Sequence, residues 1–152
     1  MRKFSAILAV VLVAALVAAI AGFIHFHRLF PLLNGWIVYR DAVLSAKLSM
    51  SLSGLVLIVT VVLTAVGMLQ RKTGGSAHRL VALALGFGAL AFAGLAATIG
   101  HTSIQQAMTI TGVTDPIVTA PGYMEVMLVL ILGLLPATLA AVEGAVLARP
   151  PR

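Results

Sequence analysis

The sequence predicts an all-α membrane protein with four transmembrane helices and an interfacial amphipathic helix between the first two. Three observations lead there. Hydrophobic residues make up 61% of the 152 residues and charged residues 9%, far below the roughly 25% that a soluble domain carries on its surface. Mean hydropathy is +1.14. Four apolar runs, at 4–24, 51–69, 80–100 and 123–147, each lack charge through their centre for about the 20 residues that cross a bilayer. Backbone polar groups find no water in lipid, so these runs become helices, which pair those groups internally. The chain reads as a single integral membrane domain over 1–152.

The first run, Phe4 to Ile24, follows a positive Met1-Arg2-Lys3 and contains Ala19-Ile20-Ala21, a small-residue site of the kind a signal peptidase cuts. Two readings stand side by side, a retained anchor and a cleaved signal peptide. Residues 29–49 place Leu29, Leu33, Trp36, Ile37 and Leu44 against Arg28, Arg40, Asp41 and Lys47 at helical spacing, as in a helix lying in the interface. Trp36 and Tyr39 suit the headgroup level, and the same residues also read as a simple aromatic belt that anchors the second transmembrane helix.

The second and third runs are joined by Gln70 to Arg79, a tight basic turn with Gly74-Gly75, so they form an antiparallel hairpin. The third run carries Gly86, Gly88, Gly94 and Gly100 among many alanines, a face on which another helix packs closely. Thr98, His101, Thr102 and Ser103 follow toward its far end, as hydroxyls that either bond back to their own helix or line a wet path. The fourth run begins after Asp115-Pro116 and Ala120-Pro121-Gly122. Pro121 suits a first helical turn, where its missing N–H is no loss, and Pro136 kinks the helix.

Orientation follows from the cations. Arg2, Lys3, Arg71, Lys72, Arg79, Arg149 and Arg152 fall on one side of an alternating topology, leaving Arg28, Arg40 and Lys47 on the other. The positive-inside rule then puts both termini in the cytoplasm, with the chain in the inner, or plasma, membrane. The net charge of +6 is therefore a topology and lipid-headgroup signal, with no nucleic acid implied. The absence of cysteine removes disulfides, thiolate metal sites and thiol nucleophiles. With no phosphate loop, no nucleophile beside a base and no zinc spacing, the chain is not expected to be an enzyme acting alone.

Glu125 is the residue that apolar surroundings single out. It is either a helix-start charge favoured by the dipole or a protonatable group on a path through the membrane. Glu143 lies eighteen residues on, five whole turns, so both carboxylates share one face. Its depth makes it an interfacial charge near Arg149. His25, His27 and His101 fall outside, where imidazoles can ligate haem or a metal ion. His78 lies on the opposite side, beside Arg79, facing headgroups.

The stretch Gly94-Leu95-Ala96-Ala97-Thr98-Ile99-Gly100, with Gln106-Ala107, Asp115-Pro116, Ala120-Pro121-Gly122, Glu125 and Gly133-Leu134, resembles the last two transmembrane helices of the ExbB/TolQ/MotA proton-channel family. The resemblance covers Gly94 to Leu147. It implies a subunit of an oligomeric, energy-transducing inner-membrane ring around a single-helix partner. Thr98 would correspond to the hydroxyl-bearing pore position and Glu125 to the polar residue of the returning helix, and no cofactor is implied. Two other classes stay open. One is a non-catalytic accessory subunit of a larger membrane complex; the other is a haem or metal protein using His25, His27 and His101.

Overall fold

The computed structural model describes residues 2–69 and 77–147, with the side chains of 6–69 and 80–146. The side chains of Arg2, Lys3, Arg71, Lys72, His78, Arg79, Arg149 and Arg152 lie outside what is described, and so does the turn over 70–76. Five helices follow one another: α1 (Arg2–Leu29), α2 (Gly35–Asp41), α3 (Leu44–Leu69), α4 (Ala77–Thr111) and α5 (Pro116–Leu147). Among the described residues there is no strand. Four of the helices, all but α2, are long and apolar enough to cross a membrane.

Each long helix exceeds its predicted span for a local reason. α1 continues past Ile24 because His27 and Arg28 in its last turn suit the negative end of the helix dipole. It stops before Pro31, where His27 donates from Nδ1 to the Leu33 carbonyl at 3.0 Å. Of the interfacial segment expected over 29–49, the seven residues of α2 form a separate short helix. Asn34 caps α2 by accepting from the Ile37 amide at 3.0 Å, and extended Ala42 ends it. From Leu44 the chain is already α3, so Ser45 to Met50 belong to a transmembrane helix. On α2, Trp36 stacks on Tyr39 with 6.0 Å between ring centroids, and Arg40 grips Asp41 through two hydrogen bonds of 2.7 and 3.0 Å.

Gly100 does not end α4. Gly112 does, with φ of +66° and its amide donating to the Met108 carbonyl at 2.9 Å, as a left-handed glycine does just past a helix C-terminus. α5 starts with Asp115, whose Oδ1 accepts from the Ile117 amide at 2.9 Å, and Pro116 takes the first helical position. Pro121 therefore sits in the helix interior rather than in its first turn. With 35 and 32 residues, α4 and α5 are roughly 50 Å long, about 20 Å more than a hydrocarbon core of ~30 Å.

α5 is the hub. It packs along α1, α3 and α4, whereas α1 runs beside no other transmembrane helix among the described residues. Small residues bring the backbones together: a Cβ on Gly86 would lie 2.9 Å from the Pro136 carbonyl, and one on Gly133 would overlap the Ala93 methyl. The glycine and alanine face of α4, including Ala89, Ala93 and Ala97, is thus covered by α5 from within the chain. α3 and α5 run parallel. Met50 shares a buried cluster with Val129, and Thr64 meets Glu143 with a sequence separation of 79, the same offset.

Candidate functional site

The face of α5 that meets α3 carries both of its carboxylates. Glu125 is half-buried in a groove of about 300 Å³ between α3, α4 and α5, whose walls include Ala46, Ile99, Gly100 and Ser103. The Val43 backbone amide at the start of α3 and the Lys47 ammonium face it. Glu143 is placed differently from the sequence expectation. It is 3% exposed, inside the bundle rather than on its rim, and its Oε2 accepts from the Thr64 hydroxyl at 2.8 Å. A side-chain hydrogen bond of this kind contributes about 0.5–1.5 kcal/mol net. Eighteen residues separate the two carboxylates, about 27 Å along the axis, close to the full thickness of the apolar layer.

α3 supplies what lies between them. Ser49, Ser53 and Thr60 are at most 1% exposed and Thr64 6% exposed, at spacings of four, seven and four residues, which is one stripe of a helix. The hydroxyls of Ser49, Ser53 and Thr60 have no hydrogen-bond partner among the described residues. Leaving a buried hydroxyl unpaired costs about 1–3 kcal/mol, so this stripe is a costly feature. Thr138 on α5 is also buried, with no hydrogen-bond partner among the described residues. It stands five residues from Glu143, about 140° around the helix, and so belongs to another face. Sequence reading missed the α3 stripe. The signal was the 49, 53, 60, 64 spacing, split between a segment read as interfacial, which held Ser49, and a run scored only for its lack of charge.

Thr98 is not brought to Glu125. It lies on the exposed side of α4 and donates to the Gly94 carbonyl at 2.8 Å, and it does not line the Glu125 groove. Thr102 and Ser103 likewise donate to the Ile99 carbonyl, at 2.9 and 2.8 Å.

The histidines do not converge either. His25 is edge-on to Phe26 at 6.2 Å, His27 is held by the Leu33 carbonyl, and His101 leans on Tyr123 at 6.0 Å. Among the described residues no three His, Cys, Asp or Glu side chains are grouped so as to hold a metal ion. Tyr123 instead ties three helices together at the α4–α5 hairpin end. Phe26 of α1 stacks on it at 6.1 Å, and Gln105 of α4 donates from Nε2 to its hydroxyl at 3.0 Å. Compared with protein-family models, curated proteins and solved structures, the chain finds no match.

Proposed function

We propose that this multi-pass membrane protein is a proton-handling subunit of an oligomeric inner-membrane complex, with both termini cytoplasmic. The observation that carries the reading is Glu143, a carboxylate inside a transmembrane bundle, hydrogen-bonded by Thr64 and sharing a helix face with Glu125. An ionisable group closed in by apolar helices is costly and is retained where charge moves. The two carboxylates stand at the two ends of the apolar layer, joined by the hydroxyl stripe of α3. The likeness of Gly94 to Leu147 to the ExbB/TolQ/MotA family supports the same class. Thr98 serves there only if a neighbouring copy or a single-helix partner covers the outward side of α4, where a Cβ on Gly88 or Gly94 would meet nothing within 4 Å.

Proteoliposomes holding the chain with whatever copurifies, a trapped pH dye and an imposed potential test the reading. The wild type discharges the potential by proton flux, and Glu143→Gln lowers that flux at least tenfold while assembly is kept. Equal flux in the two would remove Glu143 from the pathway and the reading with it.

A further inference from the structure

Where α3 begins, the bundle is not closed. The groove of about 300 Å³ between α3, α4 and α5 opens there, at the small end of the roughly 300–1,000 Å³ that small-molecule sites occupy. Small residues make the room: Ala46 on α3, Ala96, Gly100 and Ala107 on α4, and Gly122 on α5. Its level is set by α3, whose apolar span starts at Leu44, so the groove lies where hydrocarbon gives way to headgroups.

The polar groups of the groove ask for a donor. Glu125 lines it, and the hydrogen bond from the Val43 amide takes up one of the roughly four lone-pair sites on its carboxylate. Ser103 spends its own proton on the Ile99 carbonyl at 2.8 Å, which leaves its oxygen to accept. A metal ion is poorly served, because among the described residues no three His, Cys, Asp or Glu side chains gather to hold one. A quaternary ammonium calls for an aromatic wall, and none of the lining residues is aromatic. A primary ammonium, with three donors on a compact charge, fits both acceptors.

Lys47 adds the opposite sign. It is near enough to act on Glu125, yet among the described residues the two do not close into an ion pair. Opposite charges held side by side and unjoined complement a zwitterion. From Ile99 in the groove wall, the same stripe of α4 runs on as Leu95 and Phe92, 65% and 41% exposed, spaced by four and three residues as one helix face requires. That stripe is an apolar track leading away from the charged end.

We propose that this groove binds a phospholipid with a primary-ammonium headgroup, of the phosphatidylethanolamine kind. Its ammonium meets Glu125 and Ser103, its phosphate turns to Lys47, and an acyl chain lies along Leu95 and Phe92. The proposal does not rest on the proton-handling reading, since the lipid is held whether or not protons move.

Native mass spectrometry tests it, on the full chain released from bilayers with equal parts of phosphatidylethanolamine, phosphatidylcholine and phosphatidylglycerol of identical acyl chains. The wild type retains the ethanolamine lipid over each of the others by roughly tenfold, the value of one charge-assisted hydrogen bond. Glu125→Gln brings that ratio to about one while circular dichroism shows the helices kept. Ala107→Leu fills the groove, leaves every charge in place and lowers retention of the ethanolamine lipid to the same level, so the test stands even if Glu125→Gln does not fold. Water-soluble phosphoethanolamine in excess leaves the bound lipid in place. Equal retention of the three lipids, or a preference that survives in a folded variant, overturns the proposal. So does displacement by the soluble headgroup, or a lipid-free dimer that Ala107→Leu dissociates.

Discussion

On α4, Thr98, Thr102, Ser103, Thr109 and Thr111 are exposed, and each donates to a carbonyl three or four residues back along its own helix. On α3, Ser49, Ser53, Thr60 and Thr64 face the bundle, and the one that finds a partner reaches across to Glu143. The residue types are the same and the chemistry is opposite. An exposed hydroxyl on a transmembrane helix bonds back to its own backbone, whereas one facing a neighbouring helix can reach a carboxylate there. Which face a hydroxyl occupies therefore decides more than how many hydroxyls a helix carries.

The contrast breaks most visibly at Glu143. Glu143→Gln removes the group that gives the α3 stripe an end, and proton flux in proteoliposomes falls at least tenfold. If the α4 hydroxyls carried the path instead, Thr98→Val would match that loss and Glu143→Gln would not. Stability sharpens the same point. Thr64→Val takes a donor from a buried carboxylate and costs about 1–3 kcal/mol, read as an earlier midpoint in detergent unfolding. Thr98→Val on the exposed face stays within about 0.5 kcal/mol.

Glycines divide along the same line of inward and outward. Gly133→Ala pushes a methyl onto Ala93 and costs about 1–3 kcal/mol through overpacking. Gly94→Ala meets nothing within 4 Å and gains up to about 0.5–1 kcal/mol from helix propensity. The smallest effect belongs to the exposed pair on α2. Its hydrogen bond from Arg40 holds the Asp41 carboxyl below the ordinary carboxylate range. The contribution is present above that range and disappears as pH falls through the lowered value, and salt screens it. Asp41→Asn should leave thermal stability at neutral pH nearly unchanged, and the residual acid sensitivity at this site should vanish with it.

The four spans were legible because a run of about 20 uncharged residues in lipid has no alternative to the helix. Their ends were less so. Gly100 and Gly112 look alike in sequence, yet only Gly112 takes the positive φ that stops a helix. Asp115-Pro116 reads as a loop until the Asp115 side chain is seen capping Ile117.

Glu125 stood out as a carboxylate in an apolar run. Glu143 lies near the end of α5, as expected, but its burial is set by α3, a neighbour that counting along α5 alone does not reveal. Of the four glycines read as one packing face of α4, Gly86 and Gly100 meet α5 of the same chain, whereas Gly88 and Gly94 face outward with nothing within 4 Å.

α1 is synthesised well before α5, the one transmembrane helix it runs beside among the described residues. Eighty-six residues lie between Leu29 and Pro116, which at about 5–20 residues per second is roughly 4–17 s of waiting in the bilayer. Its outward Ile7, Val10, Val17 and Ile24 make that wait harmless, because lipid is as good a neighbour for them as protein. The docking of α1 onto α5 is then a late step. An inserted α1 that has not yet met α5 is a defined assembly intermediate, on which a chaperone or a partner subunit can act before the bundle closes.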